Sequence, residues 1–464
     1  MQLKLNLITV FIIFFLAFNI GNAQFDYSKF EYPDVERKAL NASLMLNGGH
    51  SYSKLSNFDF VFTGFNQSGA LDYSFLSNTR KKQKITTFFT DIDFSYSRQK
   101  NGLSSEISTT TQFNPYILFS NHIRNYKADN RYREFYYLAN AELNTRKTND
   151  EDVNNFSISP SIGYRIGIGR IEPASELFDA MFIVSDLKDR GFLLEMDQDV
   201  MFEFGRLLAQ QRQQRILDSR RLYVRQMEGI NSWLAQKIEG FEALDYVATS
   251  VIISDNWLFN QFFNRAIGVR KSIGIDLRTS YFESSPNFKQ DRSQISIYGE
   301  VYNTNPVNQH AHRSMLIMAG ISYARQNILP TNNLEDHTLS PFISAACRYT
   351  YYPISRTSLS LLADIRASYN FKSESFDNVL IVLPRIGFNM SYFLNYQTRI
   401  NADITVRYSH TSADFAQGNI NPDHEIYGNQ TNVIFRESLF RPLVFSETKG
   451  FLMNGSVSIL HSFY

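Results

Sequence analysis

The feature that most restricts what this chain can become is an alternation of apolar and polar residues sustained over segments of about ten residues, many times along the sequence. A period of two places one set of side chains on each face of a β-strand, and strands of soluble domains usually stop after about five or six residues. Leu359, Leu361, Ala363, Ile365, Ala367, Tyr369 and Phe371 lie on one face of one such segment, with Ser360, Asp364, Arg366, Ser368 and Asn370 on the other and Leu362 as the exception. Ile400, Ala402, Ile404, Val406 and Tyr408 alternate with Asn401, Asp403, Thr405, Arg407 and Ser409. Ile273, Ile275, Leu277 and Tyr281 oppose Asp276, Arg278 and Ser280, and Ile92, Phe94 and Tyr96 oppose Asp91, Asp93 and Ser95. Long dyad segments with an apolar and an ionised face are the sequence form of a membrane barrel, lipid outside and water inside. The competing fold is a large soluble β-sandwich, whose strands are shorter.

The N-terminus reads as an export signal: Lys4, then the apolar run Leu7 to Phe18, then the small residues Gly21-Asn22-Ala23 ahead of Gln24. The run is too short to span about 30 Å of hydrocarbon at 1.5 Å per residue, and no later segment is long and apolar enough for a membrane helix. The single cysteine, Cys347, excludes an intramolecular disulfide framework, leaving a large core or a closed sheet to hold an exported chain together. Forty-six basic residues against 45 acidic ones give no net charge that points to nucleic acid.

The expected fold class is therefore an all-β transmembrane barrel, antiparallel, with about fourteen strands in a range of roughly 12 to 16, and an α-helical insertion. Residues 1–23 form the signal peptide, 24–168 the first part of the barrel, 169–267 the helical insertion and 268–464 the second part. In the insertion the period changes from two to about 3.6. Leu177, Met181, Val184 and Leu187 share a helical face that Gly191 terminates. A second helix is expected from Asp197 or Asp199, a third through Leu222, Met227, Ile230, Trp233 and Leu234, and a fourth from Ser254-Asp255. With an even strand number and both termini in the periplasm, the insertion follows the sixth strand and is periplasmic, while the segment from Thr411 to Gly450 is an outer loop. Two features strain that count: a link from Asn114 to Arg133 is long for a periplasmic turn, and Asn429 to Phe440 has room for a further strand pair.

The terminal segment, with Val457, Ile459 and Phe463 alternating mostly with serines and Tyr464 as last residue, resembles the closing strand of outer-membrane barrel proteins. In those proteins a terminal aromatic is recognised by the barrel-assembly machinery, and Tyr464 departs from the pattern by standing one position out of phase. In general style, the aromatic-rich and Asn-rich mature chain resembles barrels of the Bacteroidota. The resemblance implies the bacterial outer membrane as location, with outer-membrane lipid and the assembly machinery as partners.

Asp91, Asp93, Asp276, Arg278, Glu300, Asp364, Arg366, Asp403 and Arg407 fall on polar phases and are the candidates to line the lumen. In a wide barrel they select solutes by charge, and in a filled one they pair across strands. Arg206, Arg212, Arg215, Arg220, Arg221 and Arg225 form a basic helical stretch suited to an acidic periplasmic protein partner or to lipid head groups, with a self-neutralised solvated face as the alternative. His310 and His312 are spaced for one strand face, but no Cys, Asp or Glu nearby completes a metal site, so a solvated turn is expected. His410 beside Ser409, and Asp423-His424-Glu425, are the material for a hydrolytic group, yet GxSxG, HExxH and phosphate-cradling motifs are absent. No cofactor, no metal and no enzymatic activity are expected. The leading function is a porin-like or solute-transport channel, the alternative is a structural or interaction protein whose barrel anchors a partner-binding insertion, and an outer-membrane hydrolase stands third. N-terminal sequencing of the protein recovered from outer membranes should begin at Gln24; a mature N-terminus at Met1 would remove the export reading.

Overall fold

The computed structural model describes residues 25–461, except 56–57, 101–106, 128–129, 150–151, 192–195, 214–218, 239–240, 242–245, 260–264, 285–287, 330–333, 373–378, 395–397 and 412–449. The signal-peptide residues, Arg215, His424, Tyr464 and the room for extra strands at Asn429 to Phe440 lie outside the described residues.

Among the described residues fourteen strands form one sheet: β1 (Val35–Leu55), β2 (Phe58–Asn78), β3 (Lys82–Lys100), β4 (Ile107–Tyr126), β5 (Arg131–Thr148), β6 (Asp152–Pro173), β7 (Ala266–Ser284), β8 (Phe288–Asn308), β9 (Ala311–Leu329), β10 (Leu334–Tyr351), β11 (Thr357–Lys372), β12 (Val379–Phe393), β13 (Thr398–Thr411) and β14 (Gly450–His461). They pair in sequence order, every pair antiparallel. This is the up-and-down order of an antiparallel β-barrel, and no pairing joins β1 to β14 among the described residues.

The dyads set the faces. Ile273, Ile275 and Leu277 of β7 are exposed while Ser272 and Asp276 between them are buried. Ile297 of β8 is 58% exposed and its neighbours Ser296 and Tyr298 are 4% and 2%. The apolar phase therefore faces outward and the polar phase inward, the reverse of a soluble core.

The awkward link after Asn114 disappears, because β4 runs on to Tyr126 and the turn to β5 is the four residues 127–130. Pro115 is what made the strand look finished: it cannot donate to the ladder, and the pairing with β5 skips from Phe113 to Tyr116 before resuming. Pro160 interrupts the β6–β7 ladder in the same way, between Ile158 and Ser161.

Between β6 and β7 lie four helices: α1 (Ser175–Asp189), α2 (Gln198–Gln213), α3 (Ser219–Lys237) and α4 (Tyr246–Phe259). Gly191 ends α1 with φ +75°, a conformation that side chains disfavour, and its N–H donates to the Lys188 carbonyl at 2.9 Å. The fourth helix starts at Tyr246, eight residues before the expected Ser254-Asp255 start. Its sequence, YVATSVIISDNWLF, is apolar nearly all round, so no helical period announces its first turns.

The helical core contains Leu177, Phe178, Ile183, Leu187, Phe204, Leu208, Ile230, Leu234, Ile253 and Trp257, each with no exposed surface. Burying one such side chain stabilises the subdomain by about 1.5–3 kcal/mol. The core takes in the segment ahead of β1 as well: Tyr27 stacks on Phe178 at 5.8 Å, and Phe25 and Phe30 pack against Phe202. Desolvation there pushes the Tyr27 hydroxyl up to about 12.

Inward glycines make room for large inward side chains. A Cβ on Gly163 would fall on the Tyr136 ring and the Asp276 carboxylate, and one on Gly274 would meet Arg165 Cγ at 2.8 Å. We expect Gly163→Leu to prevent folding of the barrel, read as loss of the compact band on unheated gel electrophoresis, while Ser161→Leu, two positions along on the same face, leaves the band in place.

Candidate functional site

The inward polar face divides into two layers, and the layer nearer the helices is packed. Glu134 of β5 has no exposed surface and accepts from Arg124 NH2 at 2.9 Å, with His122 Nδ1 at 3.2 Å and Arg165 NH1 at 3.5 Å. Arg165, on β6, is stacked 4.2 Å from the Tyr136 ring centroid and donates from Nε to the Tyr298 hydroxyl of β8. Tyr298 in turn donates to Asp276 Oδ1 of β7 at 3.1 Å. Arg270 NH2 stands 2.9 Å from Glu300 Oε1, and on the far side of the sheet Arg385 Nε stands 2.6 Å from Asp364 Oδ2. A buried carboxylate or guanidinium is tolerated only with such partners, since taking either out of water costs several kcal/mol.

The structure thus separates the lumen candidates. Asp276, Glu300 and Asp364, at 7%, 2% and 8% exposure, belong to this packed layer. Asp91, Arg278 and Arg366 are half-buried and Asp93 is exposed, so these form a wetter layer; half-buried Arg407 is in register with the Asp364–Arg385 pair, and half-buried Asp403 lies four positions nearer the helical end of β13. The sequence reading missed Glu134, Arg165, Arg124 and Arg270. Around Glu134 the segment Tyr132 to Tyr137 has aromatic residues on both phases, which hides the alternation.

Below the packed layer the helices contact the strand ends at several points of the rim. Arg265, 1% exposed and just ahead of β7, lies 3.5 Å from the Tyr352 ring centroid and 4.4 Å from that of Phe178, and donates from NH1 to the Gln309 carbonyl at 3.0 Å. Burial pushes its pKa down, but a guanidinium remains a cation at neutral pH, and the aromatic faces solvate it. Phe182 of α1 packs with Tyr352, just after β10, and Phe393, the last residue of β12. Asp255 of α4 is paired with Arg356 at 2.8 Å. Val35, at the start of β1, lies in the helical core, as does Ile267 of β7. The remaining rim is tied in by Arg170 of β6, which donates to the carbonyls of Thr79 and Arg80 at 3.0 and 2.9 Å, and by Arg80, whose backbone N–H donates to Asp34 at 3.1 Å.

His310 and His312 do not form a solvated turn. His310 Nδ1 lies 2.9 Å from the Tyr352 carbonyl, and His312, 7% exposed, has Nε2 2.9 Å from the Ala266 carbonyl and 3.2 Å from Thr304 Oγ1. The turn is instead pressed against α1, with the His310 ring edge-on to Phe182. Among the described residues no three His, Cys, Asp or Glu side chains gather as a metal site would need.

The basic stretch is spread over two helices. Arg206 and Arg212 are on α2, and Arg220, Arg221 and Arg225 on α3, where Arg225 is exposed. Beside it, Glu203 and Lys237 pair at 2.8 Å on the surface, and that hydrogen bond holds the Glu203 carboxyl below its usual range.

No family model and no curated protein matches the sequence. Among solved structures, the chain is similar to the translocator domain of the autotransporter NalP from Neisseria meningitidis, at 10% identity and a TM-score of 0.25, covering 79% of this chain and 90% of that one. The alcaligin outer-membrane receptor FauA from Bordetella pertussis matches at 8% identity and a TM-score of 0.29, over 84% of this chain and 64% of the receptor. The β domain of the Bordetella autotransporter BrkA matches at 7% and 0.23, over 81% and 93%. At these scores the likeness carries no argument about what this chain does.

Glu134→Gln leaves Arg124 and Arg165 buried against a neutral acceptor. We expect a loss of about 3–5 kcal/mol in unfolding free energy, measured by urea titration in detergent, against under about 1 kcal/mol for the exposed Lys237→Gln.

Proposed function

We propose that this chain is a bacterial outer-membrane barrel that takes in a small polar solute from the outer side and is closed at rest by a periplasmic helical cap. The observation that carries the reading is that the helices hold the rim together, at β1 and β7 through their core and at the β10–β11 turn and β12 through Phe182 and the Asp255–Arg356 pair. Helices at one mouth, below a packed ionic layer, suit a vestibule entered from the other end. The exposed isoleucines of β6 to β9 suit a lipid surround, and the short turns at the helical end suit the periplasmic side. The export signal and the Bacteroidota style belong to the same reading. On the side of the rim away from β1 and β7, the cap is fastened among the described residues by one buried cation, one ion pair and one aromatic cluster, which a conformational change can release at modest cost. The chain carries out no bond chemistry in this account.

Planar-bilayer recordings test it. The wild type should stay closed nearly all the time, and Arg265→Gln combined with Asp255→Arg should raise open probability at least about tenfold, the effect of weakening the closed state by about 1.4 kcal/mol. Large ohmic steps from wild type would show that the cap does not close the pore; silence from both forms would show that the barrel does not conduct.

A second reading is supported by exposed apolar residues on the cap, Val247 and Val251 of α4 at 69% and 53% and Val224 of α3 at 55%. They suit a periplasmic protein partner, with Arg225 beside Val224. Val247→Glu with Val251→Glu should then abolish partner co-purification from cross-linked cells and leave the conductance phenotype unchanged.

A further inference from the structure

The wetter layer of the lumen is electrically divided, and the division follows strand order. Asp91 of β3, Tyr116 of β4 and Glu142 of β5 are cross-strand neighbours in one inward row, with Asp93 two positions farther from the helices. No inward Lys or Arg interrupts that wall between Thr87 and Ser95 of β3 or between Tyr136 and Asn144 of β5. The other wall is basic. Arg278 stands on β7 and Arg366 on β11, and Arg407 of β13 is cross-strand from Arg385. Asp364 on that wall is already paired to Arg385, and Asp403 lies four positions nearer the helical end of β13 than Arg407. β3 and β10 are seven places apart in a row of fourteen, so the acidic and basic walls face each other once the sheet is curled as its rim contacts require.

A second observation points to a ligand at the basic wall. Ser344 of β10, cross-strand from Arg366 and 2% exposed, has a hydroxyl with no hydrogen-bond partner. An unpaired buried hydroxyl beside a guanidinium is the arrangement that a carboxylate completes, because it accepts from both.

We propose that the vestibule binds a zwitterionic solute of short-peptide size, with its ammonium at Asp91, Asp93 and Glu142 and its carboxylate at Arg366, Ser344 and Arg407. The size follows from geometry. Fourteen strands about 4.8 Å apart and tilted about 40° enclose roughly 28 Å between backbones, or about 15 Å between charged tips. An extended peptide spans about 3.3–3.6 Å per residue, so roughly four residues bridge the walls. A field across the vestibule orients such a dipole and gives little advantage to an ion of either sign alone. The inference rests on the vestibule of the preceding section but not on conduction through it.

The test is calorimetric titration of the full-length protein in detergent with tetraglycine, its N-acetyl form, its C-terminal amide and the doubly blocked form. Tetraglycine should bind at least about tenfold more tightly than either singly charged analogue, with the preference eroding at about 1 M salt, where the screening length falls to about 3 Å. Asp91→Asn with Asp93→Asn should bring tetraglycine down to the affinity of the N-acetyl form. Arg366→Gln with Arg407→Gln should bring it down to that of the amide. Arg366→Lys, which keeps the charge, and Ser344→Ala, which removes only the hydroxyl, guard against loss of folding: the first should retain the zwitterion preference and the second should weaken it. Equal affinity for all four peptides, or binding of none, would overturn the inference, and bilayer recordings report separately on whether the barrel conducts.

Discussion

Glu134 is the charge on which the interior of this barrel turns. It has no exposed surface, and it gathers Arg124 and His122 from the strand before it and Arg165 from the strand after it. The arrangement extends through Tyr298 to Asp276, so β4 to β8 are joined by side chains as well as by their ladders. A membrane barrel has its apolar surface outside, so it cannot fill its interior with a hydrocarbon core. It fills it with ions and hydrogen bonds, and each must find a partner within reach of an adjacent strand. The inward glycines Gly163 and Gly274 follow from that requirement, since Tyr136 and Arg165 need the space a side chain would take.

The ordinary hydrophobic core of the protein lies elsewhere, in the helical insertion. There Leu177, Phe204, Ile230 and Trp257 are buried as in any soluble domain, and the segment ahead of β1 is folded into the same core. Two kinds of interior therefore meet at the rim. Arg265 stands at the junction, a cation among Tyr352, Phe178 and Phe182. Its position joins the start of β7 to the turn after β10, and with Asp255–Arg356 and Phe182–Phe393 it draws separated parts of the rim onto one helical body.

The strands were legible because their signal is local. Ile273, Ile275 and Leu277 against Asp276 and Arg278 state both the strand and its faces, and the structure exposes those three apolar residues while burying Asp276. The number of strands followed from counting such segments, and among the described residues it is fourteen. Where the local signal failed, the reason is specific. Pro115 imitated a strand end, α4 lacked a polar face to reveal its period, and the aromatic residues on both sides of Glu134 concealed which phase pointed inward.

The sequence by itself determined the alternation, the strand order it implies and the interruption by helices, because each is a relation between residues a few positions apart. Only the tertiary structure decided which inward charges are locked together and which remain near water. Arg170 donates to Thr79 and Arg265 to Gln309 across 91 and 44 residues of chain, and Arg165 meets Tyr298 across 133. Such partners are set by how the sheet curls and where the helices settle on its rim. A buried ion is held by the geometry of its neighbours in space, which no spacing along the chain expresses.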